Sequence, residues 1–333
     1  MEKNDLVLVT GAGGFIGGHL VRELRQRGHR RVRAVDIKPP AEWYQIFDDV
    51  DNLTLDLSDR QACERAAQGT RYIFNLAADM GGMGFIELNK AACMLTVLIN
   101  THMLMAARAA GTERFFYSSS ACVYAAEKQV VAEVTPLREA DAYPAMPEDG
   151  YGWEKLFSER MCRHFTEDFN LVTRVARYHN VYGPYGTYDG GREKAPAAVC
   201  RKVIQAKLSG SNEIEIWGDG EQTRSFTYID DCLHGTLLLM DSAVDEPINI
   251  GSDQLVTINQ LVDIVEQIAG VKLKRHYKLD APKGVRGRNS DNTLIKQRLD
   301  WAPSLRLEEG MRRTYAWIFE QMSSADVRRK VFV

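Results

Sequence analysis

The segment TGAGGFIG, residues 10–17, decides the fold class of this 333-residue chain. It follows a β-rich run, Leu6–Thr10, and precedes Phe15–Gln26, where apolar residues recur every four positions as on one face of a helix. Its glycines at 11, 14 and 17 have the spacing G-x-x-G-x-x-G. Such a turn lets backbone approach a pyrophosphate and points helix N-terminal N–H groups at the anion. The segment therefore predicts a strand–turn–helix unit that binds a dinucleotide.

Short apolar strands alternate with helix-compatible segments on either side of this unit. Further strands are expected at Arg31–Asp36, Leu53–Leu57, Tyr72–Ala77, Arg114–Ser119 and Leu171–Tyr178. Helices are expected over Asn89–Ala110, Tyr151–Asn170, Ala195–Lys207, Asp230–Met240 and Ile258–Ile268. This alternation indicates a parallel sheet covered on both faces. We predict an α/β fold, a Rossmann-like doubly wound parallel sheet (residues 1–180, with some later elements returning to it) and a smaller α/β C-terminal substrate lobe (residues 181–333).

Composition excludes several classes of partner. The chain has 42 Lys+Arg against 45 Asp+Glu, a net charge of −3, which favours neither nucleic acid nor a membrane surface. Six scattered cysteines lack metal-ligand spacing, so no metal site is expected, and they are typical of a reducing compartment. Apolar stretches such as Met103–Ala110 are too short to span a bilayer. We expect a cytoplasmic protein.

Two aspartates are placed for the cofactor. Asp36 ends the second strand 19 residues after Gly17, where its carboxylate would accept hydrogen bonds from a ribose and repel a 2′-phosphate. Asp56, after the third strand, fits beside an adenine ring. These positions favour NAD over NADP. The alternative is a structural tight turn with ordinary surface aspartates.

Tyr151 and Lys155 form a Tyr-x-x-x-Lys motif on one helical face. The ammonium is expected to lower the tyrosine pKa, so that the phenolate takes a proton from an alcohol as hydride leaves. With the glycine spacing, this motif resembles the extended short-chain dehydrogenase/reductase family. The resemblance implies that Ser120 hydrogen-bonds the reacting hydroxyl and that Asn100 supports the site. The implied NAD contacts are Gly11, Gly14, Phe15, Ile16, Gly17, Asp36, Asp56, Leu57, Ala77, Tyr151 and Lys155.

Three further segments, RYHNVYGP (177–184), WGDGEQTRSF (217–226) and NIG (249–251), resemble the nucleotide-sugar branch of that family. The branch holds a nucleoside diphosphate in its second lobe, and Arg or Lys residues grip the phosphates. The candidates here are Lys202, Arg224, and Arg286 or Arg288. Asn180 is assigned to the same substrate site.

The end of the fifth strand, SSSACVY (118–124), separates possible reactions. The related 4,6-dehydratases carry an Asp-Glu pair where this chain has Ala121-Cys122, which disfavours dehydration. Once C4 of a sugar is a ketone, the C–H bonds at C3 and C5 become acidic. A thiol at Cys122 could then move a proton, with Lys194 as the second acid/base group.

The strings AADMGGMGFI (77–86), SSAC (119–122), GREKAPAA (191–198) and GVRGRNSDN (284–292) resemble the GDP-mannose 3,5-epimerase family. The resemblance implies that tightly bound NAD oxidises C4 and that Cys122 and Lys194 invert C5 and C3, giving GDP-L-galactose or GDP-L-gulose. Gly81, Gly82 and Met83 would lie beside the sugar, and a homodimer is implied. Ala125-Ala126 and the stretch 203–213 depart from the family pattern, and so leave open the substrate and the extent of inversion at C3.

Two other readings stay open at this point. One is an epimerase, or less plausibly a 4,6-dehydratase, that acts on another nucleotide-diphosphate sugar. The other is a catalytically silent NAD-binding regulatory protein on the same fold. The retention of Tyr151, Lys155, Cys122 and Lys194 argues against the silent protein.

Overall fold

The computed structural model describes residues 1–331. Its strands are, in chain order, β1 (Val7–Thr10), β2 (Val32–Asp36), β3 (Asp51–Thr54), β4 (Tyr72–Asn75), β5 (Arg114–Ser120), β6 (Val172–Tyr178), β7 (Val181–Tyr182), β8 (Glu213–Trp217), β9 (Thr223–Ser225), β10 (Thr227–Tyr228), β11 (Ile248–Ile250), β12 (Leu255–Thr257), β13 (Lys274–Lys278) and β14 (Gly287–Arg288). Its α-helices are α1 (Phe15–Gln26), α2 (Arg60–Ala67), α3 (Met83–Leu88), α4 (Lys90–Ala109), α5 (Tyr151–Phe169), α6 (Ala195–Ser209), α7 (Ile229–Asp241), α8 (Ile258–Ala269), α9 (Thr293–Leu299) and α10 (Leu307–Val331).

A seven-stranded sheet forms the centre of the molecule, with the order β11-β6-β5-β4-β1-β2-β3 and every pair parallel. Successive side chains of a strand point to opposite faces. Leu8 of β1 therefore joins the core beneath α2, α4 and α5, whereas Val9 joins the core on the side of α1 and α7. The predicted Rossmann-like doubly wound sheet is confirmed.

The second half of the chain builds a smaller set of elements against this sheet. Helices α6, α8 and α10 pack together, and three small sheets pair β7 with β10, β8 with β13, and β9 with β12 and β14. Strand β11 lies in this half of the sequence but pairs with β6 in the central sheet. Since parallel strands end at one edge, the turns after β1, β4 and β5 meet the second lobe there.

One helix is more apolar than the sequence analysis allowed. Helix α4 has 20 residues, and an 18-residue stretch of it has a mean hydropathy of 1.3, which is long and apolar enough by those measures alone to cross a membrane. The expectation that apolar stretches are all too short was therefore wrong for this segment. The helix packs between α2 and α5 over the sheet, which accounts for the apolar residues on its inner face.

Candidate active site

The glycine-rich turn forms a close-fitting cradle between β1 and α1. Gly11 has φ +68°, a left-handed conformation that favours glycine. A Cβ at Gly17 would overlap the carbonyl oxygen of Gly11, so helix and turn approach as closely as backbone permits. Helix α1 begins after Gly14, and the N–H groups of a first helical turn have no intrahelical acceptor. This geometry fits a dinucleotide pyrophosphate.

Asp36 is fixed beside that cradle at the end of β2. Its Oδ2 accepts a hydrogen bond from Gly13 N at 3.0 Å, and its Oδ1 accepts one from Lys38 N at 3.0 Å. Ala77 N donates to Thr10 Oγ1 at 3.1 Å, which holds the turn after β4 against Gly11. Asp56 is exposed just after β3, and Leu57 beside it is buried. Phe15 and Ile16 form the first turn of α1.

Tyr151 and Lys155 lie on the first turns of α5, beneath the end of β5. Lys155 Nζ donates to Ser118 O at 3.1 Å and lies 5.4 Å from the centroid of the Tyr151 ring. Burial raises the pKa of Tyr151 well above its usual range, and Cys122 adds to the rise, while a hydrogen bond with Ser120 opposes it. Burial outweighs the other contributions to the pKa of Tyr151. The expected lowering of this pKa by Lys155 stays a prediction.

Asn100 links the turns after β1 and β4 to helix α5. Its Oδ1 accepts from Asn75 Nδ2 at 2.8 Å, and its Nδ2 donates to Glu154 Oε1 at 2.5 Å and to Ser158 Oγ at 2.9 Å. Asn75 in turn accepts a hydrogen bond from Thr10 at 2.8 Å. The chain of bonds fixes α5, and hence Tyr151, relative to the cofactor cradle.

Cys122 lies in a single 3₁₀ turn directly after β5. Its backbone N donates to Ser120 Oγ at 3.2 Å, and its sulfur accepts from Arg288 Nη1 at 3.5 Å. Burial raises the pKa of the thiol, and the Glu148 carboxylate raises it further, whereas Arg288 lowers it. The resting thiol is therefore protonated, with a cation within reach of the sulfur.

Lys194 immediately precedes α6, at the meeting point of two loops. Gly82 N donates to Arg192 O at 3.0 Å, and a Cβ at Gly82 would overlap the carbonyl oxygen of Glu193. Burial lowers the pKa of Lys194, which makes its neutral amine accessible nearer to neutral pH. The loop after β4 and the loop before α6 thus position Lys194 together.

These residues line one cavity between the two halves of the chain. The cavity brings together the sequence-predicted residues Gly81, Gly82, Met83, Ser120, Cys122, Tyr151, Asn180, Lys194, Lys202, Arg224 and Arg288. Lys202 Nζ lies 3.6 Å from Glu215 Oε1, and Arg224 donates to the carbonyls of Thr223 and Val285 at 2.7 Å each. Burial lowers the pKa of Arg224 to about 10.

Similarity to known proteins identifies the family. A sequence model described as the NAD dependent epimerase/dehydratase family matches residues 7–251. The chain belongs to the NAD-dependent epimerase/dehydratase family. Its predicted NAD cofactor is thereby confirmed.

Two plant members of this epimerase/dehydratase family are close relatives. The chain is 47% identical to GDP-mannose 3,5-epimerase of Arabidopsis thaliana, over 96% of this chain and 84% of that protein. It is 48% identical to GDP-mannose 3,5-epimerase 1 of Oryza sativa subsp. japonica, over 95% and 82%. The crystal structure of UDP-glucose 4-epimerase from Thermotoga maritima with UDP-glucose is similar with a TM-score of 0.85 and 28% identity, over 95% of this chain and 99% of that one.

The structure places the two alternative phosphate-binding arginines differently. Arg288 lies in the cavity, but Arg286 lies outside its lining and pairs with Asp219, 2.8 Å from both carboxylate oxygens. Arg286 is therefore placed to stabilise the surface turn at 217–220 rather than to grip a ligand in the cavity. The roles of the other residues in binding stay predictions.

Sequence reasoning missed three charged residues of the site. Glu154 sits between Tyr151 and Lys155, yet it is buried and accepts from Asn100. Lys283 lines the cavity, and Glu148 pairs with Arg288. The position of Glu154 inside the Tyr-x-x-x-Lys motif, near Tyr151 and Lys155 on the same helix, was a signal that it belongs to the site. Arg288, the partner of Glu148, is 140 positions away, and the cavity around Lys283 is built from distant parts of the chain, so no local pattern marks either residue.

Proposed function

We propose that this chain epimerises GDP-mannose at C5 and C3 through a transient 4-keto sugar, giving GDP-L-galactose and GDP-L-gulose. One observation carries the proposal: a thiol, Cys122, and an amine, Lys194, line the same cavity as Tyr151. The two relatives named GDP-mannose 3,5-epimerase support the substrate. A dehydratase would need carboxylates at the positions of Ala121 and Cys122.

The NAD-dependent epimerase/dehydratase family uses a cofactor that the glycine cradle and Asp36 fit, and NAD bound there supplies reversible oxidation of the sugar at C4. Tyr151, which lines the cavity beside Ser120, takes the proton of the C4 hydroxyl and later returns it. The Lys155 ammonium beside the ring stabilises the phenolate while the proton is away. Asn100 and Glu154 hold α5 in register for this transfer.

Cys122 and Lys194 move the carbon-bound protons. A carbonyl at C4 acidifies the C–H bonds at C3 and C5, so a positioned base can remove a proton and a positioned acid can replace it. Cys122 follows β5 in the first half and Lys194 precedes α6 in the second, and both line the cavity that would hold the sugar. The raised pKa of the thiol and the lowered pKa of the amine give one proton donor and one base.

The cations of the cavity support an anionic substrate. Among the described residues, the cavity-lining cations Arg224 and Lys283 have no carboxylate within salt-bridge distance. The other lining cations, Arg201, Lys202 and Arg288, pair with Glu193, Glu215 and Glu148. Unneutralised cations in a partly desolvated cavity favour a diphosphate.

We also propose a homodimer that packs through α4 and α5. Both helices present large apolar side chains to solvent on adjoining surfaces: Met94, Leu95, Leu98 and Met105 of α4, and Trp153 and Phe157 of α5. Leu95 is 60% exposed and Phe157 is 51% exposed. Large exposed apolar side chains on two helices that pack together are typical of an interface. We refer to these six residues as the α4/α5 face.

Product analysis tests the proposed reaction. The purified protein is incubated with GDP-mannose, and the nucleotide sugars are resolved and identified by NMR. We expect GDP-L-galactose and GDP-L-gulose to appear beside residual GDP-mannose without added cofactor. UDP-glucose serves as the matched control sugar, and its conversion in place of GDP-mannose would contradict the proposal.

A further inference from the structure

A buried carboxylate, Glu148, lies directly behind the proposed acid/base thiol. Its backbone N donates to Cys122 O at 3.0 Å, and its Oε1 is ion-paired with Arg288 Nη2. Only 10% of the Glu148 side chain is exposed, and its Oε2 has no hydrogen-bond partner among the residues that the structure describes. The contacts of Glu148 therefore fix its carboxylate in the immediate environment of Cys122.

Arg288 connects the carboxylate to the sulfur. Its Nε donates to Gln129 Oε1 at 2.7 Å, its Nη2 binds Glu148, and its Nη1 donates to Cys122 Sγ at 3.5 Å. A planar guanidinium held at two of its nitrogens has a fixed orientation for the third. The distance from Arg288 to the sulfur thus depends on Glu148 and Gln129.

We propose that Glu148 is a positioning residue for epimerisation, which holds the Arg288 guanidinium beside Cys122 and neutralises enough of its charge to keep Cys122 a proton-bearing thiol. The proposal deepens the proposed function and rests on it. Glu148 itself does not transfer a proton to the substrate. It acts through Arg288, whose Nη1 stays within reach of the sulfur.

The electrostatic argument follows from the groups that face the sulfur. An arginine alone beside a thiol favours the thiolate, whereas a carboxylate at the same guanidinium offsets that effect. The charged and titratable groups around Cys122 are Glu148, Arg288, Arg224, Tyr151, Cys93 and Lys194. Glu148 is the one carboxylate in this set, and it raises the pKa of Cys122. Removing its charge leaves Arg288 and Arg224 uncompensated beside the sulfur.

The arrangement is poor as a purely structural ion pair. Burying a carboxylate carries a desolvation cost that only full hydrogen bonding repays, and Glu148 leaves one buried oxygen without a partner in the described part of the chain. It suits a proton donor, because Arg288 stabilises the thiolate that forms when Cys122 gives up its proton. Glu148 therefore favours the protonated thiol at rest, and Arg288 stabilises the thiolate after the proton has been given up.

Thiol titration tests the proposal without substrate. The rate at which iodoacetamide alkylates Cys122 is followed against pH by mass spectrometry of the peptide that contains it. In Glu148→Gln we expect the midpoint to fall by about one pH unit, which is roughly tenfold faster alkylation below both midpoints. In Arg288→Gln we expect the midpoint to rise. Glu148→Asp keeps the charge and should restore most of the wild-type midpoint.

The control is Asp149→Asn, which removes the neighbouring carboxylate. Asp149 is exposed and pairs with Lys90 Nζ at 2.6 Å, away from the sulfur. We expect its midpoint to equal that of the wild type. An unchanged midpoint in Glu148→Gln, or shifts of the same sign in Glu148→Gln and Arg288→Gln, would overturn the proposal.

A second readout separates this proposal from the proposed function. The midpoints could shift as expected while the wild-type protein does not convert GDP-mannose. The proposed function and the role of Glu148 in catalysis would then both fail, but the effect of Glu148 on the Cys122 thiol would stand. If the wild type converts GDP-mannose and the midpoints do not shift, only the role of Glu148 is lost. In an active wild type, the pH dependence of turnover should move in the same direction as the alkylation midpoint.

Discussion

Cys122 differs from the other five cysteines in what surrounds it rather than in how deeply it is buried. Burial raises the pKa of Cys63 and of Cys232 to about 12, and acidic side chains add to the rise at Cys63. At Cys122 a guanidinium acts in the opposite direction, and the side chain lines the cavity with Tyr151. The hydrogen bond from Arg288 and the position in the cavity therefore distinguish Cys122 from Cys63 and Cys232.

Replacing the thiol separates the two stages of the reaction. In Cys122→Ala, Tyr151 and Lys155 remain, so we expect GDP-mannose still to reduce the bound cofactor, detected as absorbance of the reduced nicotinamide. Epimerisation should fall by about 10²–10⁴-fold, the usual contribution of one acid/base group. Cys63→Ala, at a buried thiol outside the cavity lining, is the control and should keep its activity. Wild-type epimerisation by Cys122→Ala would exclude the thiol from proton transfer.

At the scale of elements, two loops determine where Lys194 lies. Gly82 packs against the backbone of Glu193 and bonds to Arg192, so the loop after β4 supports the loop that carries Lys194. A side chain at this position would separate the two loops. The atoms nearest to a Cβ at Gly82 belong to Glu193 and Lys194 and not to the glycine cradle at 11–17, so we expect cofactor binding not to depend on it.

Gly82→Ala therefore tests this support. The new methyl group would overlap Glu193 O and shift Lys194, and a displacement of about 1 Å can lower turnover by about 100-fold. We expect a loss of turnover of that order with the NAD content unchanged, measured by steady-state assay and by chromatography of the cofactor released on denaturation. Turnover within twofold of wild type would contradict the support between the loops.

The α4/α5 face gives a second prediction at this scale. A carboxylate in the centre of an apolar interface is costly to desolvate, so Leu95→Glu should convert the proposed dimer to a monomer. Light scattering after size exclusion measures the mass. The control is Leu208→Glu, the same change at an exposed leucine of α6. This variant should leave the mass unchanged. A wild-type protein that is already monomeric would refute the dimer.

The local periodicity of apolar residues predicted most helices and strands. It failed for an exposed edge strand and for side-chain pairs that are distant in sequence. Helices α1 and α5 were predicted within one residue of their bounds, because their apolar stripes and flanking turns are continuous in sequence. Strand β3 was predicted at Leu53–Leu57 but runs from Asp51 to Thr54, since this edge strand is largely exposed and has no apolar run to mark it. Glu148 and Arg288 are 140 positions apart, so only the fold brings them together.

At the scale of the whole molecule, buried polar residues join the central sheet to the loops around the cavity. His179, after β6, shares a hydrogen bond of 2.9 Å with Asn249 of β11, and Asn249 Oδ1 also accepts from Tyr124 Oη at 2.5 Å. The amide nitrogen of Asn249 donates to Leu137 O at 2.9 Å. These bonds connect β6, β11 and the segment after Cys122.

This buried network predicts a loss of stability in acid. Burial lowers the pKa of His179 to about 3 and that of His19 to about 4, against an ordinary value of 6.5. The unfolded state binds these protons first, so stability is present above pH 6.5 and is lost as the pH falls toward 3, by about 1.4 kcal/mol per pH unit for each histidine. In His179→Asn, the slope of the unfolding free energy between about pH 4 and pH 6 should decrease by that amount. Urea denaturation at several pH values measures the slope.

The exposed His276→Gln is the matched control for this effect. Its ring lies 3.1 Å from Glu213 on the surface of the second lobe. The acid slope in this variant should equal that of the wild type. An unchanged slope in His179→Asn, or an equal change in both variants, would contradict the assignment to the buried ring.

The central claim is that Cys122 and Lys194 invert carbon centres beside a C4 ketone. The most direct measurement is to incubate the protein with GDP-mannose in D₂O and to locate deuterium in the recovered nucleotide sugars by NMR. The account predicts deuterium at C5 in products, with label at C3 as well in the doubly inverted sugar, and none at C4. Absence of deuterium from both C5 and C3 while the sugar turns over would contradict it.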